Sequence, residues 1–328
     1  MDDSKVSRTN SAPQPKLNPL DDPRVHCRYE QLVALKAKAG QLHLPSLLKA
    51  QSVLSGRHVS RFRGRGLNFE ELRHYQQGDD IRNLDWKVTM RTGKPHVRAY
   101  TEEKDHNVMI CVDQRCSMFF SSVDTMKSVV AAELAALLGW IVLKQSDRVG
   151  FALFNNTDFI TTKPKRSQGD LLMALQRLSQ LNQELSSDVA ANQSQDINQV
   201  FERIMATRPK NTMIIILSDF FLIDQQGIEK LKYLQQHNNL LSIMITDPME
   251  KSFDLADGEQ WVISDGLYQF NIDTKHNAQA VNQELSSRYN TKQNQLVQLM
   301  HANHLPLIEV STDGQHLAEL ERAFGGHK

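Results

Sequence analysis

The sequence predicts a doubly wound α/β fold built on a mostly parallel sheet. Three observations carry that expectation. Short, β-branched apolar runs, which read as strands buried on both faces, recur at 108–112, 148–154, 212–217, 241–246 and 305–310. The stretches between them place apolar residues at helical spacing, as with Val130, Leu134, Leu137, Leu138 and Ile141. Strand and helix then alternate over more than two hundred residues, a pattern that leaves few topologies other than a parallel sheet with helices on both sides.

In chain order, residues 1–22 mix Ser, Asn, Pro, Asp and Lys with almost nothing to bury and read as a disordered tail. Residues 28–39 spell an amphipathic helix through Leu32 and Leu35, stopped at Gly40, and a second helical piece at 46–54 stops at Gly56. The segment 57–103 is irregular and dense in Arg, Gly, Asp and aromatic residues, with a possible strand at 95–100. Strand 108–112 leads into a helix over 124–144, for which Asp124 is the expected N-cap.

Strand 148–154 and a helix near 169–181 follow, then a Gln/Asn/Ser-rich linker at 182–195 and a helix at 197–207. Strand 212–217, helix 226–237 and strand 241–246 continue the alternation. Residues 261–263 and 268–272 flank Ser264-Asp265-Gly266-Leu267 and read as a β-hairpin. A long polar helix at 278–303, strand 305–310 and a helix at 315–324 close the chain. The expected organisation is a tail (1–22), an N-terminal part (23–104) and a sheet domain (105–328).

Composition narrows the function. Thirty-eight basic residues balance thirty-eight acidic ones, so bulk charge points neither to nucleic acid nor to a membrane surface. Cys27, Cys111 and Cys116 are too few for a disulfide framework, which fits a reducing compartment. The N-terminus has no apolar core of the secretory kind. The longest apolar stretch, 134–143, is half the ~20 residues that a membrane span needs. A cytoplasmic protein without a membrane span is expected.

Two motifs stand out. Val108-Met109-Ile110-Cys111-Val112-Asp113 is followed by Gln114-Arg115-Cys116-Ser117, and Met213-Ile214-Ile215-Ile216-Leu217-Ser218-Asp219 repeats the apolar run that ends in an acid. Ligand sites in open α/β sheets gather beyond the carboxyl ends of such strands. A hard cation such as Mg²⁺ wants oxygen ligands. Asp113, Ser117 and Asp219 are the candidate metal ligands, with Ser167 or Thr161/Thr162 as further hydroxyls. The arrangement resembles the metal-ion-dependent adhesion site of von Willebrand factor A domains, whose first motif is Asp-x-Ser-x-Ser. Here it stands as Asp113-x-Arg115-x-Ser117, and a guanidinium, always protonated, cannot ligate a cation. Either Arg115 swings away from a weakened Mg²⁺ site, or its guanidinium lies against Asp113 and Asp219 in place of the ion.

The segment before the sheet carries a second resemblance. Gly64-x-Gly66-x-x-Phe69-x-x-Leu72-Arg73-x-Tyr75-x-x-Gly78-Asp79-Asp80-x-Arg82-x-x-Asp85-Trp86, then Arg91-Thr92, is similar to the signature of the bacterial domain-of-unknown-function family fifty-eight. The likeness spans about residues 55–325 and departs at Met90 and Arg115. It implies a von Willebrand factor A-like sheet with the irregular segment packed on it, and association with a MoxR-type AAA+ ATPase as adaptor or chaperone-like partner. Many relatives carry N-terminal membrane helices that this sequence lacks.

The expected function is therefore a non-enzymatic protein-interaction module serving such an ATPase and a client protein. Arg115, Asp79, Asp80, Arg82, Asp85 and Trp86 are its candidate partner contacts. The alternative is a metal-dependent hydrolase using Asp113 and Asp219 to activate water. No nucleotide motif of the Gly-x-x-x-x-Gly-Lys-Ser/Thr kind occurs. The basic run Arg57, Arg61, Arg63, Arg65 has acidic neighbours enough to neutralise it, so nucleic acid is not expected.

Overall fold

The computed structural model describes residues 22–41, 67–76, 79–102, 106–186, 196–251, 260–264, 269–273 and 278–325. The tail expected up to residue 22, the helical piece at 46–54, the basic run at 57–65 and residues 187–195 of the polar linker lie outside the described residues, apart from Asp22.

Helix α1 (Tyr29–Gln41) opens the described chain. Next come strand β1 (Leu67–His74), helix α2 (Trp86–Thr92) and strand β2 (His96–Glu102). The strands pair antiparallel with a bulge between Phe69 and Glu71. The described part of the segment expected to be irregular is thus a hairpin enclosing a helix, with β2 where a strand was expected at 95–100. Its strand alternation is hidden by the bulge, which breaks the period of two, and by charged residues that its own turns employ. Among its described side chains Val97 is the one buried apolar group, and none belongs to the main core.

Among the described residues the main sheet has six strands. They are β3 (Asn107–Asp113), β4 (Arg148–Phe154), β5 (Phe159–Thr161), β6 (Thr212–Ser218), β7 (Asn239–Thr246) and β10 (Leu307–Ser311). Their order is β10-β7-β6-β3-β4-β5, all parallel except the edge pair β4–β5. Strands β8 (Gln260–Ser264) and β9 (Gln269–Asp273) form the expected hairpin apart from it.

Alternate residues of each central strand feed two cores, as pleating requires. In β3, Val108, Ile110 and Val112 face a core shared with α1, α3 (Lys127–Lys144), α4 (Gln168–Gln183) and the last helix, His316–Gly325. Met109 and Cys111 face the other core, made with α5 (Ile197–Ala206) and α6 (Gln225–His237). Two further helices among the described residues are α7 (Pro248–Lys251), a single turn, and α8 (Ala278–Ala302), with His316–Gly325 as α9.

Helix α1 is built into the first core through Leu32, Leu35 and Ala39, and Trp140 Nε1 donates to the Leu32 carbonyl at 3.1 Å. The N-terminal residues therefore divide: 22–41 join the sheet's core, whereas none of the hairpin unit's described side chains does. One local expectation fails. Helix α3 begins at Lys127 with Met126 as its N-cap, and no side chain caps it. Asp124 instead accepts the Thr125 hydroxyl at 2.8 Å and faces Arg24.

Candidate functional site

Adjacent parallel strands β3, β6 and β7 end at one edge of the sheet, and each delivers an aspartate there. Asp113 closes β3, Asp219 follows β6 and Asp247 follows β7. Asp113 and Asp247 are fully buried and the Asp219 side chain is nearly so. Carboxylates removed from water need partners, because an isolated buried charge is costly.

Asp113 finds them in its own turn. The Arg115 backbone N–H donates to Asp113 Oδ1 at 2.9 Å, and Arg115 Nε and Nη2 close on the same carboxylate at 3.0 and 2.8 Å. Ser218 Oγ donates to Asp113 Oδ2 at 2.6 Å, linking β6 to β3. Arg115 Nη2 also lies 3.7 Å from Asp219. A second cation enters from the first turn of α3: Lys127 Nζ stands 3.5 Å from Asp219 Oδ2 and 2.5 Å from Glu250 Oε1. Tyr289 on α8 donates its hydroxyl to Glu250 at 3.2 Å, and burial, followed by the charge of Glu250, pushes the phenol's pKa well up.

Arg115 and Lys127 are 2% and 3% exposed. Burial alone would favour losing their protons. The facing carboxylates outweigh it, Asp113 and Asp219 for Arg115, Asp219 and Glu250 for Lys127, and hold both pKa values above their ordinary range. Two buried cations thus meet three carboxylates.

The loop after β6 is shaped to this end. Ser218 Oγ accepts the Phe220 N–H and Asp219 Oδ1 accepts the Phe221 N–H, each at 2.9 Å. Phe220 and Leu222 take φ of 53° and 62°, a conformation that side chains other than glycine rarely adopt. Burial of the Phe220 ring in the second core offsets that strain.

Asp247 is the acid that the sequence motifs did not single out. Its carboxylate accepts the Ser122 N–H at 2.8 Å, the Ser122 hydroxyl, the Thr312 hydroxyl at 2.6 Å and the Met249 N–H at 2.9 Å. Burial would raise its pKa, but these bonds prevail and hold it below the usual carboxylate range. A signal was present: Leu240-Leu241-Ser242-Ile243-Met244-Ile245-Thr246-Asp247 has the same apolar-run-to-acid form as the two motifs. Lys127 and Glu250 had no comparable signal, since each looks like an ordinary charge beside a helix.

The loop carrying Arg115 is clamped from several sides. Gln114 Nε2 donates to the Ser128 carbonyl at 2.9 Å and its Oε1 accepts from Asn182 at 2.8 Å; Asn182 in turn accepts the Cys27 N–H at 2.7 Å. The Cys116 N–H donates to Asn156 at 2.9 Å. Above the cluster the same end of the sheet exposes apolar side chains: Phe120 and Val123 from the loop after β3, Leu222 from the loop after β6.

Of the proposed metal ligands, Asp113 and Asp219 do converge, but on Arg115 rather than on an open position. The Ser117 hydroxyl is buried without a hydrogen-bond partner among the described residues. Thr162 Oγ1 accepts the Phe151 N–H at 2.8 Å, Ser167 caps α4, and Thr161 ends the edge strand β5. As a donor set for a divalent ion this fits poorly. Each carboxylate already faces a fixed positive charge, which opposes a second one.

The expected partner contacts also divide. Asp79 accepts a fork from Arg73 at 2.9 and 2.6 Å, Asp80 caps a 3₁₀ turn at Ile81–Asn83, and Asp85 is buried as the N-cap of α2. Their carboxylates serve the local fold because turn and helix N–H groups need acceptors. Arg115 is buried too, so its fork faces inward rather than toward a partner. Arg82 and Trp86 remain exposed.

Comparison with known proteins returns a family of unknown function. Residues 71–294 match the family described as protein of unknown function DUF58. Uncharacterized proteins of Mycobacterium tuberculosis and Mycobacterium bovis are 25% identical over 344 aligned residues, with all of both chains covered. Among solved structures, the conserved hypothetical protein BatB of Bacteroides thetaiotaomicron matches 60% of this chain and 98% of its own, at 15% identity and a TM-score of 0.35. An aerotolerance-related membrane protein of Bacteroides fragilis matches 67% of this chain and 100% of its own, with the same identity and TM-score. Among the described residues no helix is long and apolar enough to cross a membrane.

Proposed function

This chain belongs to the DUF58 family, and on that premise we propose a non-enzymatic protein-interaction module that presents the carboxyl end of a von Willebrand factor A-like sheet to a MoxR-type AAA+ ATPase, to a client protein, or to both. One observation supports the reading: Arg115 and Lys127 are buried among Asp113, Asp219 and Glu250 at the carboxyl end of the sheet, and on this reading they take the place of an adhesion-site ion. A face whose carboxylates are already paired from within needs no partner carboxylate to complete a metal shell. Its contact would be made instead by the exposed Phe120, Val123 and Leu222 around the cluster, since apolar groups excluded from water dominate protein contacts.

The test is capture of the purified ATPase by this chain, in chelator and in Mg²⁺, with Phe120→Asp/Leu222→Asp as the altered face. Equal capture in both buffers and at least tenfold weaker capture by the variant are expected. Capture that needs Mg²⁺, or that ignores the double substitution, would overturn the reading. Tight Mg²⁺ binding by the natural chain would favour the metal-dependent alternative.

A further inference from the structure

Helix α2 has an inner and an outer side. The inner side is taken by the hairpin: the Asp85 N–H donates to the His96 carbonyl at 2.9 Å, and Thr89 Oγ1 accepts the His96 N–H at 3.0 Å. On the outer side Trp86 and Met90, one turn apart, are 62% and 85% exposed, and Ile81 on the preceding 3₁₀ turn is 62% exposed. Lys87 and Arg91 repeat the same spacing one position on, which makes a basic stripe beside the apolar one. Arg82 and Lys94 flank the two stripes.

None of these four exposed cations forms an ion pair among the described residues. The nearby acids are engaged elsewhere, Asp79 with Arg73, Asp80 and Asp85 as caps. Tryptophan, methionine and arginine are the residues enriched at protein interfaces, and a group of apolar side chains left in water marks a contact surface.

We propose that this outer face docks an acidic segment of a protein partner. The segment would lay an apolar side chain against Trp86 and Met90 and set its carboxylates on Lys87, Arg91, Arg82 and Lys94. Guanidinium forks favour carboxylates held in fixed geometry. The apolar stripe spans a helix of only seven residues, less than a membrane-surface helix commonly lays into lipid, which favours a protein occupant over an anionic bilayer. The inference rests on the interaction-module reading but makes no use of the strand-end face.

The full chain is titrated with three probes: a synthetic peptide of glutamates around one Phe and one Leu, the same peptide with lysines for the glutamates, and phosphatidylglycerol–phosphatidylcholine vesicles. Calorimetry and Trp emission follow binding. Saturable binding of the acidic peptide alone is expected, weakening as salt rises. Trp86→Ala/Met90→Ser should weaken it roughly tenfold or more, and Lys87→Glu/Arg91→Glu should abolish it. Phe120→Asp/Leu222→Asp should leave it unchanged, so failure of one face is told from failure of the other. All the substituted side chains on α2 are exposed, so melting curves matching the parent confirm folded variants. Equal binding of both peptides, binding that survives the charge reversal, or binding to vesicles alone would each overturn the proposal.

Discussion

Lys127 shows most clearly what a single side chain does here. Its ammonium is buried between Asp219 and Glu250, so removing it leaves a buried carboxylate, Asp219, facing the partly buried one of Glu250. Breaking a buried pair from one side costs far more than replacing the whole pair by apolar groups. Lys127→Met is expected to lose about 3–5 kcal/mol of stability, read as a lower denaturant midpoint. A loss under 1 kcal/mol, within the range of exposed ion pairs, would mean that the cluster is solvated in solution. Asp247 makes a pH-dependent prediction. Its folded pKa is depressed by the Ser122 and Thr312 bonds, so its contribution is complete above the unfolded value of about 3.9 and is lost as pH falls through the folded one. Asp247→Asn should therefore cost stability at pH 7 and progressively less in acid, and melting curves across that range would show a narrowing gap. A gap that stays constant would refute the assignment.

At the scale of elements, close approach decides which glycines matter. A Cβ at Gly150 on β4 would lie 2.6 Å from the Thr162 carbonyl and 2.8 Å from the Pro164 nitrogen, both backbone. At Gly139 on α3 it would meet chiefly the end of the Leu171 side chain at 2.9 Å. Gly150→Ala should cost about 1–3 kcal/mol, because backbone cannot step aside. Gly139→Ala should cost less, since Leu171 can turn and helix propensity returns about 1 kcal/mol. Chemical denaturation of both variants gives the order directly, and the reverse order would contradict this packing. The elements that sequence made legible are those with strong period and burial: β3, β6 and β7 fall where their apolar runs do. Of the hairpin around α2, β2 was legible as the strand offered at 95–100, but β1 and α2 were not, because the bulge and the structural aspartates look like disorder to a periodicity argument. The start of α3 was misjudged for a related reason: Asp124 is a good capping residue that a tertiary contact redirects.

For the molecule as a whole, the sheet's carboxyl edge and the face of α2 are two exposed surfaces of different character, one apolar over an interior of paired charges, the other apolar and basic. The first makes a thermodynamic prediction. A divalent ion bound at a hundred times its Kd would add about 2.7 kcal/mol and raise the melting temperature by several degrees. With Arg115 and Lys127 in place, melting in millimolar Mg²⁺ or Mn²⁺ should match melting in chelator. A clear upward shift would show that a cation competes successfully with the two side chains.

The sequence by itself determined the doubly wound sheet, the strands that end in acids and the place of Arg115 between them, because each of these is written in local periodicity or in a contiguous motif. Tertiary structure alone decided what those acids hold. Lys127, Glu250 and Tyr289 come from three helices far apart in the chain, and which N–H and guanidinium partners Asp79, Asp80 and Asp85 take came only with the folded geometry. Charge pairing depends on distances of a few ångströms between residues remote in sequence, and a linear pattern carries no record of them.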